Sequence, residues 1–164
     1  MVHTIAVLVE NHFGVLARIS GLFSARGYNI ESLCVGTTDD TATSRMTVVV
    51  QGDDRVVDQI IKQLHKMVDV IEVMDLTQQS FVERELVLIK LSTNAKRRTE
   101  LIEIANIFRA KVVDVGPKST IVEATGSAEK VRAFIDMIRP FGIEELSRTG
   151  KIALGRSANG NATT

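Results

Sequence analysis

The residue types most often used for catalysis or metal binding are few in this chain, and their spacing suits neither task. His3, His12 and His65 lack the short spacings of a metal site, and Cys34, the only cysteine, can build neither a structural zinc site nor an intrachain disulfide. No glycine-rich phosphate-binding loop occurs, and Ser44 has no base at a recognisable spacing. The sequence therefore offers no motif for an active site and predicts no bound metal.

One stretch, residues 10–16, has the features of a small binding site. It ends an apolar run and begins a pattern of apolar residues at helical spacing. Asn11 is a turn and cap residue, and Gly14 lets the backbone approach another group closely. Free N–H groups at a helix start can bind a small anion such as a carboxylate. A plain strand-to-helix turn without any ligand explains the same pattern, so both interpretations stay open at this point.

The elements around this turn are predicted in the order strand, helix, strand, strand, helix, strand. Apolar stripes at three- and four-residue spacing indicate the helices, and short apolar or alternating runs indicate the strands. Such a set packs as a sheet covered by helices on one face. The predicted strands are 3–10, 28–36, 44–52 and 68–76, and the predicted helices are 14–26 and one that begins at Asp53 or Asp54.

The same order returns after a polar break at 77–80, where we place a domain boundary. Gly52 matches Gly126 at an offset of 74 residues, and the apolar stripes that follow them match at the same offset. The repeat predicts an α+β chain of two tandem related domains with antiparallel sheets. The second copy has predicted strands 86–91, 112–115, 120–124 and a final strand 141–147, and predicted helices 97–109 and one after Ser127 that Pro140 stops.

Composition removes several classes of function. The 164 residues are 45% hydrophobic with a formal net charge of zero, which is typical of a globular protein and argues against a dedicated nucleic-acid binder. RNA-recognition modules share this element order but stack bases on aromatic residues of the central strands, and 5–9 and 45–50 contain none. No secretory signal or membrane-length apolar run is present, so we expect a cytoplasmic protein.

Six stretches of this sequence together carry a resemblance to a known family: 7–11, 14–19, 21–33, 44–47, 63–66 and 82–86. The run 21–33 is the most specific of them, and the resemblance extends to about Gly155. In these stretches the sequence closely resembles the small regulatory subunits of bacterial acetolactate synthase (acetohydroxyacid synthase).

The resemblance implies a domain order and a division of labour. Residues 1–78 would form an ACT domain, the ferredoxin-like (βαββαβ) module that senses amino acids, 79–155 a second ferredoxin-like domain, and 156–164 a disordered tail. Thiamine diphosphate, Mg²⁺ and FAD would belong to a separate large catalytic subunit. The small subunit would activate that partner and confer feedback inhibition, usually by valine, in isoleucine and valine biosynthesis.

The resemblance also implies an effector site at the interface of a homodimer that pairs through its ACT domains. Asn11, Phe13, Gly14, Val15 and Leu16 would form one wall, with Asn29 and Ile30 supplied by the second chain and Cys34 and Gly36 further along the same strand. Core packing is the alternative role for Val15, Leu16 and Ile30. A free-standing amino-acid-binding regulator and an enzyme in its own right are the alternative functions.

Overall fold

The computed structural model describes residues 1–157, which divide into two compact units. The first comprises Met1–Val82 together with the described residues from Lys151 onward, and the second comprises Glu83–Gly150. Each unit has an antiparallel sheet and two α-helices, so the predicted tandem α+β architecture is confirmed. No helix in residues 1–157 is long and apolar enough to cross a bilayer.

The first unit begins with the elements β1 (Val2–Glu10), α1 (Val15–Ala25), β2 (Ile30–Thr37), β3 (Thr43–Gln51), α2 (Asp54–Leu64) and β4 (Val70–Asp75). Its strand order is β2-β3-β1-β4, with the long strands β1 and β3 at the centre of the sheet. A 3-10 turn over Leu76–Gln78 follows β4.

Alternate residues of β1 point toward the two helices, as the period of a strand requires. Ile5, Val7 and Val9 are at most 1% exposed and belong to one core cluster with the inner faces of α1 and α2. The other face of β1 includes Ala6, which is packed with Leu76 and Ala153. The inner faces of the two helices, which complete the core cluster, consist of Val15, Ile19 and Phe23 in α1 and of Val57, Ile60 and Leu64 in α2.

The elements of the second unit are β5 (Phe81–Ser92), α3 (Ala95–Ile107), β6 (Lys111–Val115), β7 (Ser119–Gly126), α4 (Ala128–Ile138) and β8 (Ile143–Arg148). They repeat the arrangement of the first unit, with the strand order β6-β7-β5-β8. A 3-10 turn over Arg139–Phe141 separates the last helix from the last strand. The short strand β9 (Ile152–Gly155) follows in the chain and belongs to the first compact unit.

The residues that repeat at an offset of 74 form the same strand-to-helix junction in both units. Asp53 caps α2 by accepting the N–H of Val56 at 2.9 Å, and its counterpart Ser127 caps α4 by accepting the N–H of Lys130 at 3.3 Å. A Cβ on Gly52, which precedes the first cap, would lie 2.9 Å from a Val56 methyl. Glycine at this position therefore allows each strand to enter its helix without a clash.

Strand β9 is the largest departure from the predicted elements. The final strand predicted for the second domain, 141–147, lies at Ile143–Arg148 in the structure, after a 3-10 turn over Arg139–Phe141 that contains Pro140. The chain then adds β9, whose Ala153 is 4% exposed, and the N–H of Lys151 donates to Ser32 Oγ at 3.2 Å.

The contacts of the chain consequently group differently from the predicted domain limits of 1–78 and 79–155. The second compact unit begins at Glu83 rather than at residue 79, and the chain from Lys151 returns to the first unit. The return could not be predicted from the sequence, because the four residues of β9 are too few to show a periodic pattern. The predicted tail, 156–164, lies outside the described residues except for Arg156 and Ser157, which are exposed and have no regular structure.

Candidate functional site

The turn between β1 and α1 leaves the start of its helix without a side-chain cap. Gly14 is the N-cap residue and has φ +86, a left-handed conformation that glycine adopts without strain. The other three α-helices of the described chain are capped by Asp53, Asn94 and Ser127. The N–H of Val15 donates to the carbonyl of His12 at 3.5 Å, whereas the next two N–H groups, those of Leu16 and Ala17, remain available to a ligand anion at the positive end of the helix dipole.

The predicted wall residues of this turn separate into exposed and buried groups. Phe13 is 99% exposed and Leu16 is 44% exposed, so both present apolar surface to solvent. Asn11 is held in place, because its side-chain amide donates to the carbonyl of Thr41 at 2.9 Å. The Val15 side chain is 3% exposed and belongs to the core, since it lies on the same helix face as Ile19. For Val15, core packing is the correct interpretation of the side chain, and only its backbone faces the turn.

Strand register places Asn29 and Ile30 far from this turn within one chain. Thr37 pairs with Ser44, whose partner on β1 is Val9, so the C-terminal end of β2 lies at the same sheet end as the turn. Ile30 pairs with Val50 at the other end of the sheet. Seven residues of strand separate the two ends, a distance of about 24 Å. A single chain therefore contains only half of the predicted site.

The register also separates the remaining two predicted residues from the helix side of the sheet. Cys34 pairs with Thr47, which pairs with Ala6, so the thiol points to the face that lies away from α1 and α2. Gly36 pairs with Arg45 on that same face and is exposed. Cys34 and Gly36 are thus not brought together with the side chains that surround the start of α1.

Strand β2 forms one edge of the first sheet, because β3 is its only strand neighbour among the described residues. The outer edge of such a strand carries N–H and C=O groups that a further strand can pair with. The exposed Asn29 immediately precedes this strand, and Gly36 and Thr37 end it.

A buried carboxylate beneath the turn was not indicated by sequence spacing. The Asp69 side chain is 5% exposed, and its Oδ2 accepts from Arg18 Nε at 2.8 Å and Nη2 at 2.6 Å. His12 Nε2 lies 2.9 Å from the other carboxylate oxygen, and the N–H of Glu10 donates to the Asp69 carbonyl at 2.9 Å. Asp69 therefore ties together the end of β1, the turn and the first part of α1.

Replacing Arg18 with methionine should destabilise the first unit, because it leaves a buried Asp69 carboxylate with the His12 ring as its remaining side-chain partner. Breaking a buried pair from one side costs about 3–5 kcal/mol, and the half-exposed position of Arg18 reduces the expected loss to about 2 kcal/mol. Chemical denaturation of the full chain measures this change. Arg26→Met, at an exposed position, is the matched control and should cost under about 0.5 kcal/mol. Equal losses in the two variants would contradict a structural role for the Asp69 pair.

Comparison with known proteins gives a consistent family for both units. The AHAS small subunit-like ACT domain family matches residues 5–72, and the family described as the small subunit of acetolactate synthase matches residues 84–157.

Individual relatives match along nearly the whole chain. The probable acetolactate synthase small subunit of Archaeoglobus fulgidus is 58% identical over 95% of this chain and 98% of its own length. The acetolactate synthase small subunit of Aquifex aeolicus is 50% identical over 94% of this chain and 81% of its own length. The crystal structure of the small subunit from Thermotoga maritima superposes with a TM-score of 0.88 at 37% identity, covering 96% of this chain and 99% of that one. This chain belongs to the acetolactate synthase small-subunit family, and its first unit is an ACT domain.

Proposed function

We propose that this chain is the regulatory subunit of acetolactate synthase, which activates the thiamine-diphosphate-dependent catalytic subunit and makes it sensitive to feedback inhibition by valine. In this role it binds no cofactor itself, and thiamine diphosphate, Mg²⁺ and FAD belong to the catalytic subunit. The reaction it controls is the shared step of isoleucine and valine biosynthesis. The observation that carries the proposal is the uncapped start of α1 at Gly14, in a chain that belongs to this family.

The proposed effector site is shared by two chains that pair through their β2 edges. Antiparallel pairing of β2 with its counterpart places the partner's N-terminal end of the strand beside this chain's Thr37, since the two strands run in opposite directions. Thr37 lies at the sheet end where β1 enters the turn. Two-fold symmetry then forms the same site a second time at the other end of the joined strands. In this arrangement the partner chain contributes Asn29 and Ile30, the wall of the site that a single chain lacks.

The chemistry of the turn suits an α-amino acid with an aliphatic side chain. The ligand carboxylate binds the free N–H groups of α1, and the Asn29 amide of the other chain hydrogen-bonds its ammonium or carboxylate group. The exposed apolar surface of Leu16, together with Ile30, packs against the isopropyl group. Pocket discrimination between aliphatic side chains that differ by one methylene is about 1–3 kcal/mol. Valine, leucine and isoleucine therefore belong in the same titration series.

Binding can regulate the catalytic subunit only if valine has different affinities for two arrangements of the complex. A coupling free energy of about 1–3 kcal/mol would change activity or affinity about 5–150-fold. The turn is a suitable place for such coupling, because Asp69 connects it to the strand ends of the first sheet.

Reconstitution with purified catalytic subunit tests the proposal. Adding this chain should raise the turnover of that subunit, and valine should lower it again, whereas this chain alone should form no acetolactate. A free-standing regulator of another target would bind a branched-chain amino acid in calorimetry and leave the turnover unchanged. That second result would contradict the proposed regulation of acetolactate synthase but would still be consistent with the proposed binding site.

A further inference from the structure

The side chain of His3, on the central strand β1, is fully buried and makes no hydrogen bond within the described residues. Its exposure is 0%, and neither Nδ1 nor Nε2 has a partner at hydrogen-bond distance. Buried polar groups are nearly always paired, because an unpaired group has lost its hydration without compensation. An imidazole with two unsatisfied nitrogens therefore points to a bound species at this position.

His3 lines a cavity of about 180 Å³ whose other polar walls are mainly carboxylates. The cavity lies on the helix side of the first sheet, since His3 is in the same alternate set of β1 residues as Ile5. It is at the end of β1 opposite the turn that contains Gly14, because the seven residue steps of the strand from His3 to Glu10 span about 24 Å. No lysine or arginine is among the residues that surround it, which are His3, Asp54, Val57, Asp58, Ile61, Asp75 and Gln78.

The separations of His3 from its acidic neighbours fit an ion between them. Nε2 lies 3.7 Å from Asp54 Oδ1, which is too far for a hydrogen bond. Two ligand atoms that each lie about 2.1 Å from one ion, at an angle of roughly 120°, would be separated by this distance. Asp58 follows Asp54 by one helical turn of α2 and lines the same cavity. Its carboxylate does not lie within 4.8 Å of both the His3 and the Asp54 donor atoms, so a change of the exposed Asp58 rotamer is needed to complete a set of three ligands.

The other ring nitrogen of His3 faces a carboxylate that is itself held in place. Nδ1 lies 4.0 Å from Asp75 Oδ2, while Asp75 Oδ1 accepts the N–H of Thr77 at 2.9 Å. Histidines that bind metals usually donate the second ring N–H to a carboxylate, which fixes the tautomer and strengthens the ligand. Asp75, His3 and Asp54 follow one another in this order, with the Nδ1–Oδ2 separation about 1 Å longer than a hydrogen bond, so the Asp75 carboxylate must approach His3 when the ion binds.

We propose that this cavity is a divalent transition-metal site with His3 Nε2, Asp54 and Asp58 as ligands and Asp75 as the carboxylate that orients His3. Imidazole with carboxylates suits Zn²⁺, Co²⁺ or Ni²⁺, whereas Mg²⁺ prefers oxygen ligands alone. The bound ion links the first turns of α2 to β1, and it stabilises the first unit because the unfolded chain does not hold these groups together.

A second group of donors, at the effector turn, is the competing location for a cation. Donor atoms of Glu10, His12 and Asp69 lie within 4.8 Å of one another. Both carboxylate oxygens of Asp69 already have close partners, His12 Nε2 at 2.9 Å and the Arg18 guanidinium at 2.6 Å. The guanidinium would repel a cation there, so we assign the metal to the cavity at His3.

Titration of the chelator-treated full chain with Co²⁺ alone tests the assignment, using visible absorption and calorimetry. One ion should bind per chain, and Asp54→Asn and Asp58→Asn should each raise the dissociation constant at least about tenfold. Zn²⁺ should raise the melting temperature of the parent chain, and Mg²⁺ at the same concentration should not. His3→Gln should remove the site as well, but the test rests on the two aspartate variants, because these positions are exposed and tolerate asparagine.

His12→Gln and Asp136→Asn are the matched controls, the first in the competing group and the second at an exposed carboxylate of α4. Both should bind Co²⁺ with the affinity of the parent chain. Absence of any bound ion would overturn the proposal, and water would then be the partner of His3. Loss of binding in His12→Gln, or a less than tenfold effect in both Asp54→Asn and Asp58→Asn, would also overturn it.

Discussion

Replacing Gly14 with aspartate should raise the valine concentration for half-maximal inhibition at least about 100-fold while leaving activation of the catalytic subunit intact. The new carboxylate would lie at the start of α1, where it can accept the free N–H groups and cap the helix. The valine carboxylate then loses its donors and meets a like charge, a juxtaposition that costs several kcal/mol. A 100-fold loss corresponds to about 2.7 kcal/mol. Inhibition curves of the reconstituted enzyme measure the effect.

Gly14→Asn is the matched control for this substitution, because it has nearly the same shape and no charge. Asparagine and aspartate both tolerate the left-handed conformation that φ +86 requires. A Cβ at this position would lie 3.2 Å from Arg18 Nη1, the far end of a flexible side chain, so neither variant should unfold the turn. The asparagine variant should lose less inhibition than the aspartate variant. Unchanged valine inhibition in Gly14→Asp would contradict the site, and equal loss in both would assign the effect to shape rather than charge.

The fold could be predicted from the sequence because its signals are local and occur twice. The stripe of Val57, Ile60 and Leu64 has helical spacing, and the glycine and cap residue before it recur 74 residues later. Strand β9 could not be predicted, since it has four residues and is held by long-range contacts such as that of Lys151 with Ser32. Local periodicity carries no information about such contacts.

The turn residues of the candidate site could be predicted from the sequence, whereas the charged side chains that hold the turn in place could not. Asn11 and Gly14 have turn preferences that are visible in the sequence, and the structure has them at the turn. Asp69 is 51 residues from Arg18, and nothing in its neighbourhood distinguishes it from a surface aspartate. Asp75 and His3 face each other across two neighbouring strands, a relation that depends on strand register. Charged pairs that form only through tertiary contacts cannot be identified from the sequence alone.

Two variants that each bind valine more weakly than the parent chain should restore parental affinity at one site when they are combined in one dimer. In the proposed site, Gly14 of one chain and Asn29 of the other contribute to the same pocket. Asn29→Ala removes a hydrogen bond to a charged ligand group, which should weaken binding about 10–100-fold. A heterodimer of Gly14→Asp with Asn29→Ala has one site with both changes and one site with neither, because the interface is two-fold symmetric.

Calorimetry on heterodimers isolated through two different affinity tags measures this restoration. About half of the sites in the heterodimer should bind valine with the affinity of the parent chain, while either homodimer should have no such site. Both positions are exposed or lie in a turn without a side chain, so the variants should keep the fold, and circular dichroism melting curves provide the control.

Absence of high-affinity sites in the heterodimer would contradict a shared pocket. It would require Gly14 and Asn29 of one chain to act together, although strand register places them near opposite ends of the sheet, about 24 Å apart. A shared pocket has a further consequence for assembly. Because valine would then bind only the paired form, its binding should stabilise the dimer by mass action, and dilution that separates the chains should weaken the apparent affinity. Sedimentation with and without valine should therefore show dimers persisting to lower protein concentration when valine is present.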